Sequence, residues 1–123
     1  MIEFQQLVGT WQLVSATLRS RADDSVTDMF SPSPKGFLLY TPDGGVSATI
    51  ESVAGSGDIA VSYAGRASLT EDVVTHHVRV GNAKYRDGTE QVRHVVLGAD
   101  GELRLSVDYP DVAGTLVWRR ADH

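Results

Sequence analysis

Apolar residues in this chain recur at every second position far more often than at every third or fourth. From residue 102 to 108, Leu103, Leu105 and Val107 alternate with Glu102, Arg104, Ser106 and Asp108. Successive side chains of a strand point to opposite faces, so this parity predicts a strand with its leucines turned inward. In residues 73–80 the apolar face is Val74, His76, Val78 and Val80, against Val73, Thr75, His77 and Arg79. In residues 59–69 the inward set is Ile59, Val61, Tyr63, Gly65 and Ala67, with Arg66 outward. Residues 36–41 are apolar on both sides, Leu38 and Tyr40 on one and Phe37 and Leu39 on the other. Further strands are expected over residues 10–20, 46–51, 90–97 and 113–120. Within residues 90–97 parity is undecided: Gln91, Arg93 and Val95 oppose Val92, His94 and Val96, so either an arginine or a histidine enters the interior.

The segments between these runs carry turn chemistry. Pro42-Asp43-Gly44-Gly45 and Gly98-Ala99-Asp100-Gly101 are strong turn signals. Residues 21–35 hold Asp23-Asp24 and Ser31-Pro32-Ser33-Pro34, and prolines cannot donate to a ladder, so this stretch reads as a long loop. Residues 52–58 and 81–89 read as loops too. Helical spacing is confined to residues 2–8, where Ile2, Phe4 and Leu7 share a face. Eight strands joined in sequence by short turns predict an all-β fold, an antiparallel up-and-down barrel with a short N-terminal helical turn. Eight is also a number at which a barrel closes around one small ligand. An immunoglobulin-like sandwich is the structural alternative.

Composition narrows the function classes. A chain of 123 residues fits one domain. It has no cysteine, which excludes disulfides, thiolate metal sites and cysteine nucleophiles, and favours a reducing compartment. A net charge of −5 argues against nucleic acid as a partner. The start, Met1-Ile2-Glu3-Phe4, has no basic leader, and no long apolar run follows, so neither a signal peptide nor a membrane partner is expected and the cytoplasm is the expected location. The two-sided apolar pattern of residues 37–40 is compatible with a homodimer formed through an outer face.

Gly9-Thr10-Trp11 places a Gly-x-Trp at the start of the first strand. It is followed, in order, by Gly36-Phe37-Leu38-Leu39-Tyr40-Thr41-Pro42-Asp43-Gly44, Tyr63-Ala64-Gly65-Arg66, Val74-Thr75-His76-His77-Val78, Gly88-Thr89-Glu90-Gln91-Val92-Arg93 and Leu116-Val117-Trp118-Arg119-Arg120. Together these pieces resemble the bacterial and fungal lipocalin-like domain family of small calycin-type barrels over almost the full chain. Ala67 stands where that family has an aromatic, and residues 81–85 lack its Pro-x-Trp. The resemblance implies that Trp11 closes the barrel floor beneath an arginine of the last strand, Arg119 or Arg120. It also implies that Gln91 and Arg93 face inward.

An interior holding Arg93, His76, Tyr63 and Tyr40 among Leu and Val is the kind of polar cluster that orients a small apolar ligand. The candidate catalytic residues are His76 as general acid or base, Arg93 as a fork for a carboxylate or enolate oxygen, and Tyr63 as proton donor. The candidate ligand-binding residues are Tyr40, Leu38, Leu105, Val78, Tyr85 and Gln91, with Tyr85 either a lid aromatic or a surface residue. The expected function is binding of a small, largely apolar, oxygen-bearing molecule, with a cofactor-free isomerisation or cyclisation in natural-product metabolism as its catalytic form. A non-catalytic carrier or sensor is the alternative, and a filled barrel acting as an interaction module is a third. No cofactor and no metal are expected: His76 and His77 point to opposite faces, His94 opposes Arg93, and His123 is in the tail.

Overall fold

The structure is a computed structural model describing residues 1–53 and 55–121; His123 lies outside the described residues. Among the described residues a 3-10 turn, Phe4–Gln6, precedes nine strands. They are β1 (Gly9–Ser20), β2 (Val26–Asp28), β3 (Gly36–Tyr40), β4 (Gly45–Glu51), β5 (Ile59–Thr70), β6 (Val73–Gly81), β7 (Glu90–Leu97), β8 (Leu103–Asp108) and β9 (Val112–Arg120). Every sequential pair from β3 to β9 is antiparallel, and β1 pairs with both β3 and β9. The sheet is therefore a closed eight-stranded barrel with one extra strand. Among the described residues no helix is long and apolar enough to cross a membrane.

The extra strand, β2, falls inside the stretch expected to be a loop. Its cause lies in β1, which is longer than β3. β3 covers only Gly9 to Gln12 of the β1 edge. Val26–Asp28 pairs further along that edge, at Thr17 to Arg19, where donors and acceptors would otherwise be bare. The prolines of the segment, Pro32 and Pro34, come after β2 and do not interrupt it.

Three β-bulges shift side-chain parity, and two of them correct the expected inward sets. Between β4 and β5, Ile50 faces Val61 while Glu51 faces Ile59, so Ala60 is the extra residue and Ile59 turns outward, 43% exposed. Between β5 and β6, Gly65 faces Val78 while Ala64 faces Val80, so Arg79 is extra and Val80 turns outward, 65% exposed. Gly65 is needed at this second bulge because a Cβ there would run into the carbonyl oxygen of His77. The third bulge, at Val14 of β1, keeps both Leu13 and Ala16 buried.

The undecided strand is resolved as β7. Val92, His94 and Val96 are exposed, Val95 is buried, and Gln91 and Arg93 are half-buried on the inner side. On β3, Leu38 and Tyr40 are buried, while Phe37 and Leu39 sit half-exposed on the outer face.

One end of the barrel is sealed. The Trp11 indole N–H donates to the Leu7 carbonyl at 2.8 Å, and Leu7 is wholly buried. Arg120 lies over the Trp11 ring at 4.1 Å and donates to the carbonyls of Val8 and Gln6. Arg119 points away and pairs with Glu102 at 2.8 Å. Phe4 packs edge-on against Tyr40, with centroids 5.9 Å apart. A guanidinium held flat on an indole and hydrogen-bonded to two carbonyls is a clamp between β9, β1 and the N-terminal turn.

Candidate functional site

The other end of the barrel is open. A cavity of about 350 Å³ enters between the segment after β2, the β6–β7 loop and the β8–β9 turn. Its mouth is set by Met29, Phe30, Lys84, Tyr85 and Tyr109, and its wall includes Leu18, Leu38, Ile50, Leu105, Leu116 and Trp118. Three polar side chains break the apolar wall: Tyr63 from β5, His76 from β6 and Arg93 from β7. Adjacent strands in register bring them together, since His76 faces Ala67 on one side and Gln91 on the other.

His76 is 2% exposed and both of its ring nitrogens are engaged. Nε2 meets the Tyr40 hydroxyl at 2.6 Å, and Nδ1 meets the Tyr63 hydroxyl at 2.6 Å. Burial, then the charge of Arg93 and that of His77, push the His76 pKa down to about 3. Burial likewise raises the phenol pKa of Tyr40 and of Tyr63. All three groups are thus neutral at pH 7.

A proton count then orders the cluster. A neutral imidazole carries one N–H and each tyrosine one O–H, so three protons serve two contacts and one is left over. If Nε2 held the ring proton, the spare O–H would be on Tyr40, which is buried and does not line the cavity. A buried donor without an acceptor costs about 1–3 kcal/mol. If Nδ1 holds the proton, Tyr40 donates to Nε2, Tyr63 accepts from Nδ1–H, and the spare O–H belongs to Tyr63, which faces the cavity. The second arrangement is favoured, and it turns a hydroxyl donor toward whatever fills the barrel.

Arg93 is held by neutral acceptors. It donates to the Val92 carbonyl at 2.8 Å and to the Gln91 side-chain oxygen at 3.2 Å. Among the described residues no carboxylate lies within ion-pair distance of it. Tyr85 stacks on Tyr63 with centroids 5.3 Å apart and forms part of the mouth, and Lys84 sits 5.4 Å from the centre of the Tyr85 ring. No group of three His, Asp or Glu among the described residues could hold a metal.

Of the residues singled out in the sequence, His76, Arg93, Tyr63, Leu38, Leu105 and Tyr85 line the cavity. Tyr40, Val78 and Gln91 do not. Tyr40 bonds the far side of the imidazole, Val78 is wholly buried in the wall, and Gln91 holds Arg93. Sequence reasoning missed Met29, Phe30, Lys84, Tyr109 and Trp118. Met29-Phe30 did leave a signal, as a large apolar pair in an otherwise polar segment. The Trp118 indole N–H is buried with no acceptor among the described residues.

The model of the lipocalin-like domain family matches residues 8–56. Over that span the chain is similar to the lipocalin-like domain family. The matched span contains the Gly9-Thr10-Trp11 floor and the β3–β4 hairpin. Solved structures share the closed barrel fold at low sequence identity. A protein of Bacteroides eggerthii superposes with a TM-score of 0.56 at 19% identity, over 94% of this chain and 99% of that one. A redesigned β-barrel gives 0.53 at 14% identity, over 96% of this chain and 94% of its own. The wild-type fluorescent protein UnaG gives 0.52 at 14% identity, over 97% of this chain and all of its own. No curated protein matches the chain in sequence.

Proposed function

We propose that this lipocalin-like barrel binds one small, largely apolar molecule that carries a polar group. The observation that carries the reading is the cavity itself: about 350 Å³, open at one end, apolar over most of its wall, with Tyr63 and Arg93 turned into it. Small-molecule sites have this size and this division between apolar wall and few fixed polar groups. Retention is the form of the function that the geometry supports best. His76 has both nitrogens occupied and a pKa near 3, so it is a poor acceptor for a substrate proton.

Native mass spectrometry of protein purified from its host tests this directly. The wild type is expected to carry a releasable apolar compound, and Leu105→Trp, which fills the cavity, to carry none. An empty wild type, or equal loading of both, would refute the reading.

A second reading adds turnover at the same place, a cofactor-free isomerisation or cyclisation. It draws support from the Tyr63–His76 pair, in which a buried imidazole fixes the phenol that faces the cavity. Tyr63 then donates a hydrogen bond to, and Arg93 holds, the substrate oxygen on which negative charge develops. Conversion of a precursor by wild type, lost in Arg93→Leu while folding is kept, would establish it. Binding without conversion leaves the carrier.

A further inference from the structure

The polar groups that line the cavity are one-sided. The chain holds 16 aspartates and glutamates and a net charge of −5, yet among the described residues no acid lines the cavity. Two of its 11 lysines and arginines do, Arg93 inside and Lys84 at the mouth. Arg93 spends two of its five N–H donors on neutral oxygens and keeps three. The spare O–H of Tyr63 is another donor. His76 offers nothing, because both nitrogens are engaged by the tyrosines. The inner polar site therefore supplies donors and positive charge, and no acid among the described residues lines it.

We infer that the occupant is an organic acid, an apolar body bearing one carboxylate, with the carboxylate received by Arg93 and the Tyr63 hydroxyl. The inference rests on the binding function proposed above and specifies its ligand class. A planar guanidinium fork fits two carboxylate oxygens, and the phenol adds a third donor. The body then lies on Leu38, Ile50, Leu105 and Leu116. Lys84 stands where an acid enters and favours its approach.

The test uses chain-matched saturated fatty acids and fatty alcohols of eight to fourteen carbons, titrated into the full chain at pH 7. Trp118 lies in the cavity wall, so tryptophan fluorescence reports filling. In the wild type the acids are expected to bind at least about ten-fold tighter than the alcohols of the same length, the usual scale of a charge-assisted hydrogen bond. Arg93→Gln is expected to bring the acids down to the affinity of the alcohols. The wild-type comparison needs no variant, so it stands even if Arg93→Gln misfolds. Equal binding of acids and alcohols would overturn the anionic ligand and leave the cup. Binding of neither series would overturn the cup and the inference with it.

Discussion

Acidification from pH 7 to pH 5 is expected to loosen this barrel through one side chain. His76 titrates near 6.5 when unfolded and near 3 when folded. A base with a depressed folded pKa binds its proton more readily in the unfolded chain, so falling pH favours unfolding. The stability tied to the neutral imidazole is complete above pH 6.5 and is lost progressively as pH falls towards 3. With those two values, linkage gives a loss of about 2 kcal/mol between pH 7 and pH 5. The exposed carboxylates whose pKa values are lowered, Asp23, Asp43, Glu51 and Asp100, start from ordinary values of 3.8 to 4.5, so they titrate below this window. Urea unfolding at pH 7, 6 and 5 measures the loss. His76→Gln keeps a donor and an acceptor but cannot ionise, and is expected to remove about 2 kcal/mol of the pH dependence, whatever its effect at pH 7. The same slope in wild type and His76→Gln would refute the buried, neutral assignment of this residue.

Three further outcomes follow from the structure. Nitrogen-15 NMR of His76 is expected to show a protonated Nδ1 and a bare Nε2, and Tyr40→Phe to cost about 1–3 kcal/mol in urea unfolding by leaving Nε2 without its donor; a protonated Nε2 would reverse the proton order derived for the cluster. Gly65→Ala is expected to destabilise by at least about 1–3 kcal/mol, because its methyl group meets backbone at the β5–β6 bulge, where no rotamer change can relieve the contact. Unchanged thermal unfolding of that variant would mean the bulge is not tight.

Parity alone read most of this fold. Leu103 and Leu105 are buried as their alternation demands, and the turns at Pro42–Gly45 and Gly98–Gly101 fall where their residues put them. Parity failed at Ile59 and Val80, because a bulge adds one residue and reverses every side chain beyond it, and single-strand patterns carry no mark of the partner's register. β2 escaped notice because three residues are too short for a period, and its pairing depends on a bare edge elsewhere in the chain. The inward turn of Arg93 came from likeness to relatives, since Val92, His94 and Val96 make the more apolar face of β7 by composition. Which imidazole nitrogen meets Tyr40 and which meets Tyr63 depends on the distances between three strands, which no single-strand pattern carries.

The longest seam of the barrel runs between β1 and β9, from Trp11 opposite Arg120 to Ser20 opposite Val112. That seam orders events during synthesis. β1 leaves the ribosome before β9 and must wait for it before it has a neighbour on that side, and closing so long a loop is entropically slow. A nascent chain halted before residue 112 holds an open curved sheet with bare edges on β1 and β8, which invite pairing with other chains. It also lacks Leu116 and Trp118 from the cavity wall and Arg120 from the floor. On the proposed binding function a ligand can be kept only after β9 has docked, so it would stabilise finished barrels and offer unfinished ones no protection.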